Sequence, residues 1–498
     1  MELELQFEEI ACHETVGEIV LTQEEAAELT IPEYSPEVSR VVDAAGQVQL
    51  REKTAAEGRL DMSGTACLRV LYTSGESSGL RSLTLSLPFR CTAEAPQFRP
   101  CSTLWVKSRV VLAEVRPLAA RKVYARILLE FAVCGYAPTV RKLCTGAAEE
   151  PSLRCRKETA SIPLLTEVSE REFAVQQEVT PEEGTEMPEE ILREDCRLEV
   201  TSVQVLASRL LVRGEAALRF LYRCEDQTLH SYETAVPFSQ IIDGVSGGDG
   251  AAYEVTPQLC ESEVRLARSE RGHGLNVSLR GTLLIKAVCR REITWLSDLY
   301  STRYEAAVRR ELLTFPTVLQ QEKCSAESAE PLEFGGSRPF AYLTEQRCAQ
   351  TDMCMEGDTP TAHTTLHLRL LYLEDAPVTT ERSREISTVL PAAADGIAAE
   401  CIGSALHYSG SSCDVRSRID FTLTHEETAR VTAVAAAELQ EASQREMPSL
   451  ILRRIVPEES LWDIAKQYRT DETAIRRANH WEGDTPPEGM LLIPKTRG

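Results

Sequence analysis

Apolar and polar residues alternate along much of this chain, and the alternation recurs. Leu68-Arg69-Val70-Leu71-Tyr72 returns as Leu218-Arg219-Phe220-Leu221-Tyr222 and again as Leu368-Arg369-Leu370-Leu371-Tyr372, an offset of 150 residues each time. In each copy the arginine falls between members of an apolar set such as Leu68, Val70 and Tyr72. That period of two predicts a strand with one face in a core and the arginine directed out to solvent. A polar stretch, a second strand and a proline follow: 83–87 before Pro88-Phe89, 232–236 before Pro237-Phe238, and 386–390 before Pro391. This is the pattern of a hairpin that stops at its proline. Longer strand pairs come next, at 104–115 with 123–134, 263–267 with 275–289, and 415–424 with 429–439. Ala132-Val133-Cys134 and Ala287-Val288-Cys289 match at nearly the same offset, so the similarity spans domains and not one strand.

The last fifty residues break the pattern. A strand-like stretch at 450–456 leads to Ser460, an N-cap candidate with Asp463 three residues on. Leu461, Ile464, Ala465 and Tyr468 then form one helical apolar stripe. A second short helix fits 470–478, with Thr470 or Asp471 as its cap and Asn479 near its end, and a closing strand at 490–493 stops at Pro494. Composition turns acidic or loop-like at 146–151, 181–195, 320–337 and 441–448. The chain therefore reads as mainly β: three β-rich repeats over 1–148, 149–312 and 313–445, then a small β-α-α-β module over 449–496. Its 498 residues exceed the roughly 250 to 300 that one hydrophobic core sustains.

Charge narrows the function classes. The formal charge of −23 comes from 77 acidic against 54 basic residues, a balance that repels phosphate backbones, so no nucleic-acid partner is expected. The segment 450–498 holds eight of each sign, so the whole excess lies upstream of it. The opening Met1-Glu2-Leu3-Glu4-Leu5-Gln6-Phe7-Glu8-Glu9 lacks the basic and apolar regions of a secretory signal, and no apolar run approaches the roughly 18 residues of a membrane-spanning helix. Spread over a long chain without a secretory signal, the sixteen cysteines read as reduced, mostly buried thiols, and with no Cys-x-x-Cys among them no metal site is expected.

The terminal module resembles LysM through Ile455, Ser460-Leu461-Trp462, Ile464-Ala465, Tyr468, Ile475, Asn479, Gly489 and Leu492-Ile493-Pro494. That resemblance implies a groove for N-acetylglucosamine glycans such as peptidoglycan. It would be lined by Pro457, Glu458, Glu459, Ser460 and Leu461 on one side, and by Asn479, His480, Trp481 and Glu482 on the other. The family's usual Gly-Asp is Glu458-Glu459 here, and Arg453 stands where an aromatic is common. Two carboxylates beside an exposed Trp481 would equally suit a protein partner offering Lys or Arg. Trp462 is expected to pack partly in the module's core.

Repeats with a Leu-Tyr strand end, closed by one LysM module, together resemble the SPOCS-domain spore-coat morphogenetic proteins. The resemblance implies a non-enzymatic adaptor in the mother-cell cytoplasm, at the forespore surface and spore coat. It would bind the coat-assembly ATPase, stage IV sporulation protein A, through LysM, contact other coat proteins, and tether coat to the forespore. The alternative is a peptidoglycan-binding protein that uses the LysM groove.

Catalytic readings are weaker. Gly-x-Ser-x-Gly occurs around Ser77 and Ser246, but the hydrolase motif needs a strand, a sharp turn and a helix. Ser77 falls instead between hairpin strands, where the other copies carry Glu225-Asp226 and Glu374-Asp375, and Ser246 lies in a Gly-rich loop. His363 and His367 share the outward face with Arg369 and read as solvated. Asn276-Val277-Ser278 is a formal glycosylation sequon, read as accidental. No catalytic residue, metal ligand or cofactor is expected.

Overall fold

A computed structural model describes every residue except 1, 76, 99–102, 180–187, 246–249, 270–271, 333–339, 374–375, 410–411, 442–449, 455–458, 482–488 and 495–498. Strands dominate it. The chain opens with β1 (Leu5–Thr30), β2 (Arg40–Ala56), β3 (Arg59–Ser74), β4 (Ser77–Glu94), β5 (Thr103–Ala119) and β6 (Lys122–Ala147). These form an antiparallel meander β2-β3-β4 and a second antiparallel sheet β1-β6-β5.

The same order follows in β7 (Leu153–Val179), β8 (Glu190–Leu206), β9 (Arg209–Arg223), β10 (Leu229–Asp243), β11 (Ala252–Ser269) and β12 (Gly272–Ser301). Here the meander is β8-β9-β10 and the second sheet β7-β12-β11. It is met again with both long strands interrupted. β13 (Glu305–Thr314) and β14 (Val318–Leu332) stand where β7 is one strand. The meander is β15 (Phe340–Glu356), β16 (Thr359–Leu373) and β17 (Pro377–Val389), and β18 (Gly396–Ser409), β19 (Ser412–Glu427) and β20 (Arg430–Gln440) complete the unit. Pro316, which has no N–H to give a ladder, sits in the first interruption. β13 pairs with β20 from Glu305↔Gln440 to Thr314↔Arg430. A boundary between 312 and 313 would fall inside this strand.

Burial follows the alternation. Along β3, Leu60, Met62, Ala66, Leu68, Val70 and Tyr72 are buried, and along β9 their counterparts are Leu210, Val212, Ala216, Leu218, Phe220 and Tyr222. Gly64 and Gly214 stand opposite Phe89 and Phe238 in register, and each aromatic ring covers its glycine. A Cβ on Gly214 would collide with the Glu199 carbonyl oxygen and the Phe238 ring, so the close approach of the strands requires glycine there.

Around the repeat leucines, the outward faces of the meanders do not meet solvent. Leu71, Leu221 and Leu371 share those faces with the repeat arginines, yet all three are buried. They pack together with Val42, Leu192, Tyr342, Leu80 and Leu229 in one core drawn from all three meanders. Around it the arginines reach from unit to unit. Arg69 Nη2 lies 3.2 Å from Glu194 Oε1, Arg219 Nη1 donates to the Leu343 carbonyl at 3.4 Å, and Arg369 Nη1 lies 3.6 Å from Asp43 Oδ1. First to second, second to third, and third to first, the contacts close a ring. The expectation that these arginines point into water is therefore corrected: outward from one sheet is inward to the neighbouring unit. Arg193, itself buried, donates to Asp43 at 2.7 Å and to the Thr344 carbonyl, and Tyr342 donates to Asp195 at 2.8 Å. A second shared core joins Ile10 and Leu143, Ile162, Leu164 and Trp295, and Val431 from the long strands, with Phe315 from the break between β13 and β14.

Candidate functional site

The terminal module consists of β21 (Leu450–Arg454), α1 (Leu461–Tyr468), α2 (Glu472–Ala478) and β22 (Met490–Pro494), with β21 and β22 antiparallel. Ser460 caps α1, accepting from the Asp463 N–H at 3.2 Å and donating to its carboxylate at 2.5 Å. Asp471 caps α2, accepting from the Thr473 N–H at 3.1 Å. Leu461, Trp462, Ile464, Ala465, Ile475, Leu491 and Ile493 form the core, with Tyr468 and Trp481 packed against it.

The residues expected to line the groove divide by role. Pro457, Glu458 and Glu482 lie outside the described residues. Leu461 is buried, so its side chain serves the core and not a ligand. Ser460 is engaged in the cap. Asn479 clamps the end of α2 to β22: its amide donates to the Ile475 and Leu492 carbonyls at 2.8 and 2.7 Å, and its oxygen accepts from the Leu492 N–H at 2.7 Å.

Trp481 is not exposed as expected. It is half-buried against the core, with the Arg476 guanidinium 4.8 Å from its ring centre. Its indole N–H has no hydrogen-bond partner among the described residues. Glu459 is not a free carboxylate either, since Arg453 Nη2 donates to it at 2.6 Å while Nη1 donates to Gln467 at 2.6 Å. The two departures from the LysM pattern thus pair with each other. Among the described members of the set, His480, at φ 48°, is the exposed one.

Other residues of the module dock on the body, mostly on the second unit and at Glu305 on the third. Asp298, near the end of β12, is buried and accepts from Trp462 Nε1 at 2.8 Å and from Lys466 Nζ at 2.7 Å on both oxygens. Burial alone would raise its pKa. The hydrogen bonds from Lys466 and Trp462, with the charges of Lys466 and Arg310, outweigh burial and hold it below the ordinary value. Tyr300 packs edge-on against Trp462, ring centres 4.8 Å apart, and donates to the Thr470 carbonyl at 2.9 Å. Arg154 donates twice to Asp471, at 2.9 and 2.7 Å, and Arg469 Nη2 lies 3.1 Å from Glu305. Trp462 is thus both core residue and docking anchor.

The docking residues went unnoticed in the sequence, although a signal for them was present. Counted back from the terminal pairs Leu5↔Ala147, Leu153↔Ser301 and Glu305↔Gln440, Asp298 stands where the other units have Cys144 and Ala437. Tyr300 stands where they have Gly146 and Leu439.

Residues 188–266 match the family model of the SipL SPOCS domain, and residues 454–493 match the LysM domain. The chain carries a SPOCS domain and a LysM domain. No curated protein and no solved structure matches it. The SPOCS match covers the second meander and most of β11, and stops short of β12, the partner of β11. SPOCS and LysM are non-catalytic binding domains, and their pairing supports a sporulation-related role in binding protein or peptidoglycan.

Elsewhere the candidate chemistry resolves into structure. Ser77 begins β4, in a hairpin with no helix after it, and Ser246 lies outside the described residues. Among the described cysteines none is in a disulfide; burial pushes the Cys134 thiol up to about 11 and those of Cys196 and Cys348 to about 12, which leaves them unreactive. His363 and His367 do lie on the outward face, but four strand positions put them about 13 Å apart, too far to share an ion. No helix among the described residues is long and apolar enough to cross a membrane.

Proposed function

We propose that this chain is a non-enzymatic spore-coat morphogenetic adaptor whose LysM module binds the coat-assembly ATPase, stage IV sporulation protein A, and whose repeats tether coat to the forespore from the mother-cell side. The observation that carries the reading is the division of the LysM surface. Trp462, Lys466, Arg469, Thr470 and Asp471 meet the body, while the groove residues Glu459, Ser460, Asn479, His480 and Trp481 share none of those contacts. A module seated in this way presents its groove edge at a set orientation, which suits an assembly joint. We divide the chain into units over 5–147, 153–301 and 305–440, with LysM over 450–494, and assign other coat proteins to the repeats.

Peptidoglycan binding is the second reading, favoured by the LysM match itself. The pair Arg453–Glu459 argues for protein, because it sets a bulky ion pair beside the loop where the family carries Gly-Asp. The full-length chain, wild type and His480→Glu, is tested for saturable binding to the ATPase beside retention on insoluble peptidoglycan. ATPase binding that the substitution weakens, without peptidoglycan retention, supports the adaptor. Retention on peptidoglycan without ATPase binding overturns it in favour of the glycan reading.

A further inference from the structure

On the outward face of the third meander, the end of β15 and the start of β16 bring three ligand-bearing side chains together. Cys354 and Glu356 are two residues apart on β15 and therefore share a face. His363, on the paired strand β16, has its Nε2 3.2 Å from Cys354 Sγ and 3.5 Å from Glu356 Oε1. One ligand atom from each of the three lies within 4.8 Å of the other two. Zinc bonds of about 2.3 Å to sulfur and about 2.0 to 2.1 Å to nitrogen and oxygen put tetrahedral ligand atoms about 3.3 to 3.6 Å apart. The spacings from His363 are within a few tenths of an ångström of that geometry.

The imidazole is also oriented from behind. His363 Nδ1 lies 2.9 Å from the Ser387 hydroxyl on β17, its neighbour in register. An N–H donated there leaves the lone pair on Nε2, facing the thiol and the carboxylate, as metal-binding histidines are commonly held. The arrangement is private to one copy. At an offset of 150 the first unit has Thr54, Ala56 and Ser63, and the second has Gln204, Leu206 and Arg213. A generic outward strand face would not require this combination.

We propose that Cys354, Glu356 and His363 bind zinc, or a similar borderline divalent cation, on this face. The donor set of thiolate, imidazole and carboxylate selects such an ion over magnesium or calcium. Three protein ligands leave a fourth position open to water or to a side chain of another molecule. Binding deprotonates the thiol and releases one proton. The sequence showed no zinc spacing because the ligands come from two strands and meet only through the hairpin register.

The test uses the reduced full-length chain titrated with cobalt(II), read by its thiolate charge-transfer and tetrahedral visible bands and by their displacement with zinc. Saturation at one equivalent is expected, with the bands lost in Cys354→Ser and in His363→Ala but kept in Cys155→Ser, another exposed thiol. Ser387→Ala should weaken affinity by about tenfold, the usual cost of removing an orienting partner. Bands that persist in Cys354→Ser, or no saturable binding, would overturn the site. A second measurement needs no variant: zinc should slow alkylation of Cys354 by about tenfold or more, because bound thiolate is withdrawn from reaction, and leave Cys155 unchanged. Equal rates at Cys354 with and without zinc overturn the proposal.

Discussion

The ring that joins the three units and the seat that holds the LysM module are both inter-domain contacts, yet they are built on opposite plans. The ring uses equivalent positions: Leu71, Leu221 and Leu371 fill its core, and Arg69, Arg219 and Arg369 reach onward around it. The seat uses positions where the units differ, Asp298 against Cys144 and Ala437, and Tyr300 against Gly146 and Leu439. Repetition closes the body, and departure from repetition marks the second unit as the main seat of LysM, with Glu305 of the third unit at its edge. A body of repeated units with one distinct seat holds a single binding module in a defined place, which a flexible tether would not do.

Damage to the ring core should have the largest effect. Leu221 is fully buried among residues from all three units. Leu221→Ala is expected to cost about 2 to 5 kcal/mol, from lost burial and the cavity left behind. Denaturant unfolding of the full-length chain measures it, and a loss under 1 kcal/mol would mean that the three meanders do not share a core. The seat should fail separately. Asp298→Leu leaves the Trp462 N–H and Lys466 ammonium without their acceptor, a loss of about 2 to 4 kcal/mol in docking. Hydrogen exchange in α1 should rise while the amides of β3, β9 and β16 keep their protection. If both sets change together, ring and seat are one cooperative unit.

Acid should release the same seat without mutation. Asp298 is buried and Asp471 partly so, which raises their pKa, but hydrogen bonds to Lys466 and Trp462 for one and to Arg154 and Thr473 for the other bring both below the ordinary value. The undocked state then binds more protons, so docking is complete above the free carboxylate value of about 3.9 and is lost as pH falls below it. Exchange in α1 between pH 6 and pH 3 checks this. Asp298→Leu should remove most of the pH dependence.

The contrast also accounts for what the sequence disclosed. Strand alternation, the 150-residue period and the Ser460 cap are local or periodic signals, and the structure carries all three. The burial of Leu71 and its counterparts could not be read, because a period of two separates the faces of a strand without saying what lies beyond either face. The LysM groove shows the same limit. Glu459 and Trp481 looked available until the fold brought Arg453 to one and the module core to the other. Seat residues such as Arg154 and Asp471 are 317 positions apart, so only tertiary contact joins them.

The smallest expected effect tests the ring at its polar edge. Glu194 is nearly inaccessible, and burial raises its pKa more than Arg69 lowers it. A carboxyl whose folded pKa is raised favours the folded state at low pH, and that advantage fades as pH climbs from the free value of about 4.3 through the folded value. Arg69→Met keeps much of the stem and removes the compensating charge. At pH 5 the loss should be slight, because Glu194 can take up a proton. At pH 8 it should approach about 1 kcal/mol, since the carboxylate must be protonated against the solution or stay charged without its partner. Thermal unfolding of wild type and variant at the two pH values measures the difference. A deficit that does not grow with pH would mean that Glu194 is compensated from elsewhere and that the Arg69 contact adds little to the closure of the ring.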